Sequence, residues 1–234
     1  PFVGEIVSCY VGRAKDQKVY KNSQSGGFVT TVLSHLFRNS LIDGAVVVRG
    51  AEKEIDRPEA VLIEDVKDLY SSQKSQYLHV EILSFLKTVE KKSIAFVGLP
   101  CHIEGLRNLC SVDRRLQEKI KFTFGLICEG VFSHRIVDYF ASMVNMPKNE
   151  TQILFKDKHR PNYISAQVKV TNKATMESRF ISNTERFKAK EILTPPRCLI
   201  CYNKMNIFAD AVFGDPWGID GINVEKGESI VLCR

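Results

Sequence analysis

The sequence predicts an α/β (α+β) fold: a layered mixed sheet with flanking helices and a strand-rich antiparallel insertion. Two observations carry this prediction. Helical and strand-like periods alternate from residue 25 to residue 146, as they do where helices lie on a largely parallel sheet. After Pro147 the period changes to two, as in antiparallel strands.

The elements follow in order. "SQSGGFVTTVLSHLFRNSLIDG" opens on glycines and then repeats Phe28, Val32, Leu33, Leu36 and Phe37 at helical spacing. Gly44 punctuates the end, and "AVVV" at residues 45–48 predicts a short buried strand. "SQYLHVEILSFLKTVEKK" predicts a second amphipathic helix and "SIAFVG" a second strand. The turn "GLPC" leads into a short helix, "HIEGLRNL". "KIKFTFGLIC" is a third strand, and "SHRIVDYFASMVN" a third helix with Ser133 as its N-cap. "TQILFKDK", "NYISAQVKVT" and "ATMESRFIS" alternate as strands, which puts the insertion at residues 150–183 of a single domain spanning 1–234. A linker is expected from there to Pro196, followed by the cysteine segment.

Composition narrows the function classes. With 44% hydrophobic and 26% charged residues the chain reads as a soluble globular protein. No apolar run approaches the roughly 20 residues that cross a bilayer, and no signal-peptide pattern is present. The net charge of +6 is scattered over Lys91, Lys92, Arg114, Arg115 and "KDKHR" at residues 156–160. Without a basic stripe interleaved with aromatics, nucleic acid is not an expected partner. A solvated basic surface, or a groove for an anionic partner or phosphorylated cofactor, remains. Seven cysteines, an odd number, argue against a disulfide framework and for a reducing cytoplasm. Pro1 is not a native start unless a Met was removed, and "GESIVLCR" stops inside a strand-like run, so a fragment of a longer chain is expected.

The chemistry centres on four of those cysteines. Cys101 and Cys128 each follow a predicted strand, at the edge where open α/β sheets bind ligands. Cys198 and Cys201 form a CxxC. By spacing alone these four fit a 4Fe–4S ligand set, a zinc site, or no metal at all. Pro100 stiffens the first turn, and Gly98 and Gly125 are expected to let a bulky inorganic core approach the backbone. A thioredoxin-like dithiol is disfavoured, because "LTPPR" rather than a strand leads into the CxxC. Cys9, Cys110 and Cys233 read as buried inert thiols. His102 beside Cys101 is a poor nucleophilic pair, and His35, His79, His134 and His159 carry no spacing signal. Ser25, Gly26 and Gly27 precede a helix N-terminus, which favours an anionic group; its paired glycines would admit a flat ring or pyrophosphate. An ordinary turn and cap explains the same residues, and the stretch is not a G-x-G-x-x-G.

Five stretches occur in one order: "SGGFVTTVLSHLFRNSLIDGAVV", "KSQYL", "IAFVGLPCHIEGLRNL", "FGLICEGVFS" and "RCLICYNKMNIFADAVFGDPWG". Together they resemble the beta-subunit family of coenzyme F420-reducing hydrogenases and dehydrogenases, which includes hydroxymethyl chlorophyll reductase. The resemblance covers nearly the whole chain and implies an iron–sulfur flavoprotein oxidoreductase binding FAD and a 4Fe–4S cluster. It implies electron passage between a redox partner or ferredoxin-like domain and coenzyme F420 or another two-electron acceptor, and it leaves room for a homo-oligomer. Cys101, Cys128, Cys198 and Cys201 match its cluster ligands. Ser25, Gly26, Gly27 and Phe28 match its flavin-contacting segment, and Ser75 and Tyr77 its "SKY" element near the flavin. Asn203, Asp210, Gly214 and Asp215 fall in the segment implied to close over flavin and cluster. Gln76 replaces that element's lysine, with Lys74 nearby, and His102 replaces a glutamine. The further cysteines of an N-terminal ferredoxin-like segment are absent from this sequence, so a second cluster would have to lie in a removed segment or a partner chain. A non-catalytic electron-transfer subunit and a zinc-stabilised binding domain are the alternatives.

Overall fold

A computed structural model describes residues 3–50, 57–157, 166–222 and 227–234. Among the described residues, ten strands form two sheets. The larger contains β1 (Ser8–Gly12), β2 (Gly44–Arg49), β3 (Glu59–Ile63), β4 (Ile94–Gly98), β5 (Ile120–Leu126), β9 (Ala211–Gly214) and β10 (Ser229–Cys233). The smaller contains β6 (Thr151–Asp157), β7 (Gln167–Asn172) and β8 (Ser178–Ile181). The helices are α1 (Gln17–Asn22), α2 (Phe28–Arg38), α3 (Ile82–Phe85), α4 (Pro100–Val112), α5 (Arg114–Lys119), α6 (Arg135–Met143), α7 (Asn183–Leu193) and α8 (Pro196–Leu199).

The large sheet runs β1-β10-β9-β5-β4-β2-β3. Its centre, β9-β5-β4-β2, is parallel, whereas β3, β10 and β1 join antiparallel. Alternation along β2 and β4 divides the core into two faces. Val46, Ile94 and Phe96 pack with Ile82 of α3 and Ile103 and Leu106 of α4. Ala45, Val47, Ala95 and Val97 point the other way, onto Leu33 and Leu36 of α2 and onto Leu69. The parallel centre is therefore covered on both sides, which directs ligands to the strand ends.

A separate core belongs to the small sheet. Phe155 of β6, Val168 and Val170 of β7 and Ile181 of β8 pack with Phe132, with Ile136 and Phe140 of α6 and with Ala189 of α7. Phe132 and Phe155 stack with centroids 5.8 Å apart. The three strands expected after Pro147 are present; residues 162–165 of "NYISAQVKVT" and His159 lie outside the described residues.

Three local expectations differ. The helix read over "SQYLHVEILSFLKTVEKK" shrinks to α3 and a following 3-10 turn at Leu86–Thr88. Leu78, Val80 and Ile82 are buried alternately, and Leu78 makes a parallel bridge to Phe132, so a period of two governs this stretch. The expected linker before Pro196 is instead α7, opened by a capping box in which Ser182 Oγ accepts from Glu185 N and the Glu185 carboxylate accepts from Ser182 N. Ser182→Ala is expected to cost about 1 kcal/mol, read as a lower urea midpoint. At α6 the capping position is His134 rather than Ser133, whose Oγ still accepts from Arg135 N at 3.4 Å.

Candidate cofactor site at the carboxyl edge of the sheet

Strands β4 and β5 end side by side, with Gly98 opposite Gly125. Cys101 follows β4 in the first turn of α4, and Cys128 lies two residues past β5, so both emerge at one edge. Asn206, fully buried at φ 52°, clamps that edge. Its Nδ2 donates to Gly98 O at 3.1 Å and to Leu126 O at 3.2 Å. A Cβ on Gly125 would sit 2.5 Å from Asn206 Cγ and Nδ2, and one on Gly98 would sit 2.7 Å from the Phe96 ring. The two glycines thus make room for protein side chains, where an inorganic core had been expected. Asn206 was not singled out in the sequence; its only signal is a second asparagine three residues after Asn203 in "CYNKMN".

The loops bearing the other cysteines are tied to this edge. Cys128 N donates to Lys204 O at 3.0 Å, and Gly130 N donates to Cys128 Sγ at 3.4 Å. Gly130, at φ +110°, passes so close to the CxxC that a Cβ there would stand 3.4 Å from Cys198 Cβ. Cys198 lies in α8, a single turn opened by Pro196, and Cys201 N donates to Cys198 O at 3.4 Å. Burial, with repulsion from the thiolate forms of Cys101, Cys198 and Cys201, pushes the Cys128 thiol up to about 11 against the Gly130 amide. Cys101 is exposed as a residue, yet local desolvation also raises its thiol, with repulsion from Cys198 and Cys201 adding to the shift. The structure thus brings the four cysteines into one electrostatic neighbourhood. Among the described residues, however, no three His, Cys, Asp or Glu side chains already stand at metal-binding spacing.

His102 is 6% exposed. Leu99 N donates to its Nδ1 at 3.3 Å, so the proton sits on Nε2. Burial pushes its pKa down to about 4, and His79, with ring centroids 6.2 Å apart, adds to the shift. The unfolded chain therefore takes up this proton first as pH falls. The contribution is intact above pH 6.5 and is lost towards pH 4, a change of about 3 kcal/mol. His102→Gln should flatten that part of the stability profile, measured as urea midpoints across the window.

The second half of the site lies where β9, β10 and β1 meet. Ser25 Oγ donates to Asp215 Oδ1 at 3.0 Å and lies 2.8 Å from Ser229 Oγ. Asp215 Oδ2 accepts from Lys156 Nζ at 2.8 Å, and that lysine side chain is 7% exposed. Gln24 Nε2 donates to Lys156 O at 2.7 Å, while its Oε1 accepts from Ser75 N at 3.2 Å. Trp217 lies with its ring centroid 5.6 Å from Lys156 Nζ. Ser25, Ser75 and Asp215, singled out in the sequence, are thus joined by Gln24, Lys156 and Ser229, which were not. Lys156 was read only as part of a scattered basic run, because sequence gives no sign that β6 folds back to this edge.

The neighbouring residues divide. Gly26 N donates to Ser229 Oγ at 2.8 Å, and a Cβ on Gly26 would stand 2.4 Å from Gly12 O. A Cβ on Gly27, at φ +80°, would stand 2.7 Å from Ser23 Oγ. These glycines admit protein backbone and side chains rather than the flat ring expected beside them. Gly26→Ala has no flexible neighbour to displace and should destabilise by about 3 kcal/mol, read by chemical denaturation. Phe28 starts α2 and packs over Gly12. Tyr77 lies against Phe132 and Phe155 in the small-sheet core, with Arg186 5.8 Å from its ring centroid. Asp210 sits at the opposite end of β9 from Asp215, bonded to Thr123 N and Oγ1 at 2.7 Å and to Arg107 at 2.8 Å. It anchors strands and does not close over the edge. Gly214, ending β9, gives way to the Ile127 side chain. Cys110 is buried as expected, Cys233 is half-buried, and Cys9 is exposed on the edge strand β1, contrary to the expected burial.

Comparisons with known proteins identify the family to which this fold belongs. Residues 91–234 match the family model for the C terminus of the coenzyme F420 hydrogenase/dehydrogenase beta subunit, and residues 9–87 match the model for its N-terminal part. The chain belongs to this family. It is 30% identical to an uncharacterised protein of Methanocaldococcus jannaschii, over 95% of this chain and 59% of that protein. It is 29% identical to the beta subunit of the coenzyme F420 hydrogenase of Methanothermobacter thermautotrophicus, over 58% of this chain and 50% of that protein. The chain thus spans about half to three-fifths of the length of these family relatives. A chain in the structure of the F420-reducing [NiFe] hydrogenase complex from Methanosarcina barkeri superposes with a TM-score of 0.77. That match covers all of this chain and 77% of the other at 20% identity, and it shows that the family fold is shared. Among the described residues no helix is long and apolar enough to cross a membrane.

Proposed function

We propose that this chain is an iron–sulfur flavoprotein oxidoreductase of its family. It passes electrons between a 4Fe–4S cluster and FAD, and on to coenzyme F420 or another two-electron acceptor. The observation that carries the reading is the convergence of Cys101, Cys128, Cys198 and Cys201 at one sheet edge. The polar network of Ser25, Asp215 and Lys156 occupies the same edge.

Buried polar atoms favour the cluster. His102 Nε2, Thr194 Oγ1 and Asn203 Nδ2 are enclosed without hydrogen-bond partners. His102 adjoins Cys101, Thr194 lies beside Gly130, and Asn203 follows Cys201 by two residues. A buried donor without an acceptor costs about 1–3 kcal/mol, and a cage of sulfide and thiolate is an acceptor. Zinc bound by the same cysteines would bring no such sulfides.

In this reading Cys101, Cys128, Cys198 and Cys201 hold the cluster, and each gives up its thiol proton on binding. The raised pKa of Cys128 sets a proton cost that iron–thiolate bonding must exceed. FAD supplies two-electron hydride chemistry and the cluster single-electron exchange. Ser25, Ser75, Asp215 and Lys156 orient and hold the flavin, assisted by the unpaired amides at the start of α2. Asn206 fixes the spacing of the strand ends that carry Cys101 and Cys128. A redox partner protein or ferredoxin-like domain exchanges electrons with the cluster. Leu199 and Ile200, exposed between two ligands with Ile200 at 84%, favour such a contact.

The test is anaerobic reconstitution with iron, sulfide and FAD. The expected product shows flavin absorption over a broad iron–sulfur envelope, both bleached by dithionite, with iron and sulfide in equal amounts. Stoichiometric zinc with neither iron nor flavin would overturn the reading.

A further inference from the structure

Asn203 is 1% exposed and lies in the turn between Cys201 and Lys204, whose carbonyl receives the Cys128 amide. Its amide orientation is fixed from within the turn. Ile207 N donates to Asn203 Oδ1 at 2.9 Å, so the oxygen is spoken for and the NH2 group faces the other way. That NH2 carries two donors, is buried, and has no partner. The turn needs only the acceptor, which an aspartate would supply equally well. The donor half of the side chain has no structural use among the described residues.

We propose that Asn203 Nδ2–H donates a hydrogen bond to a sulfur of the cluster, as a positioning residue that raises the cluster's reduction potential. This rests on the cluster reading above. Reduction adds negative charge to the sulfur cage, and a donor aimed at sulfur stabilises the more negative state. Asn203 stands two residues from Cys201, on the strap that ties Cys201 to Cys128, so its amide travels with both ligands. The competing explanation is local. Asn206 Oδ1 is also buried without a partner, and Asn206 N donates to Asn203 O at 3.4 Å. A small relaxation of the turn would pair the two side chains and leave the cluster untouched.

The two explanations separate by experiment on the reconstituted full chain. Asn203→Asp keeps the acceptor for Ile207 N and deletes the donor, and Asn203→Ala deletes the donor without adding charge. The midpoint potential of the cluster, followed by electron paramagnetic resonance during a redox titration, should fall in both variants while iron and sulfide content is retained. In parallel, wild-type protein with 15N-labelled asparagine side chains should show a weak nitrogen coupling to the reduced cluster, lost in Asn203→Ala. An unchanged potential in Asn203→Ala with iron retained overturns the proposal. If both variants lose the cluster, the wild-type 15N coupling decides, and its absence overturns the proposal. A wild-type protein that binds no iron sinks the underlying cluster reading instead, which is a different outcome.

Discussion

Replacing Cys198 or Cys201 by serine should abolish iron and sulfide binding, while Cys9→Ser leaves both at the wild-type level. The expected contrast is loss of nearly all iron against no loss, the largest effect any single substitution here should produce. The reason is chemical as much as geometric. Serine keeps the volume but offers an alcohol that stays protonated, whereas the cluster needs four thiolates. Cys198 and Cys201 share a strap that reaches Cys128 through Gly130 and Lys204, so losing either leaves the cage open on one side. Cys9 is exposed on the outermost strand of the large sheet and takes no part in that neighbourhood. Iron retained in Cys128→Ser but lost in Cys233→Ser would show that the ligand set is assigned wrongly. Far-ultraviolet circular dichroism of each variant separates cluster loss from unfolding.

Lys156→Met should destabilise the protein by about 3 kcal/mol, at the low end of the range for breaking a buried ion pair. The lysine side chain is 7% exposed and holds Asp215 at 2.8 Å, and Asp215 itself is 23% exposed. Methionine fills the stem's volume but takes the ammonium away from the Asp215 carboxylate. Asn in place of Asp215 removes the charge, so the double variant Lys156→Met, Asp215→Asn should recover most of the loss. A urea double-mutant cycle measures this directly. Additive effects of Lys156→Met and Asp215→Asn across the cycle would mean that the pair is energetically unimportant. If the site holds FAD as proposed, the single variant also retains less flavin than wild type after gel filtration.

The central strands β2, β4 and β5 were legible from their apolar runs, whereas β3 and β9 were not read. "AVVV" and "SIAFVG" are largely buried on both faces, and "KIKFTFG" is so from Thr123 to Gly125. Residues 75–92 misled because Leu78, Ile82, Leu86 and Val89 satisfy helical spacing, while burial follows Leu78, Val80 and Ile82. The capping box that opens α7 was readable as Ser-x-x-Glu, but α7 has a largely polar surface and shows little apolar period. The cysteines could be placed because the ends of adjacent parallel strands share an edge. Lys156, Ser229 and Gln24 could not, since their meeting depends on how the small sheet docks against β9 and β10. No local pattern encodes that docking. The glycines show the same limit: sequence reveals that Gly26 and Gly125 need space, and only the fold reveals what fills it.

The pairing of β1 with β10 has a consequence for the order of assembly. Ser8 to Gly12 align with Cys233 to Ser229, so the sheet's outer edge joins segments far apart in sequence. Such long-range pairing carries a large loop-closure entropy and forms late. The same strand supplies Ser229, which receives the Gly26 amide and contacts Ser25. The Ser25–Asp215 side of the edge is therefore completed only after β10 docks, whereas Gly98 and Gly125, at the strand ends that lead to Cys101 and Cys128, pair between neighbouring strands. Cys101 and Cys128 would thus be in place before the network of Ser25, Asp215 and Ser229 is complete.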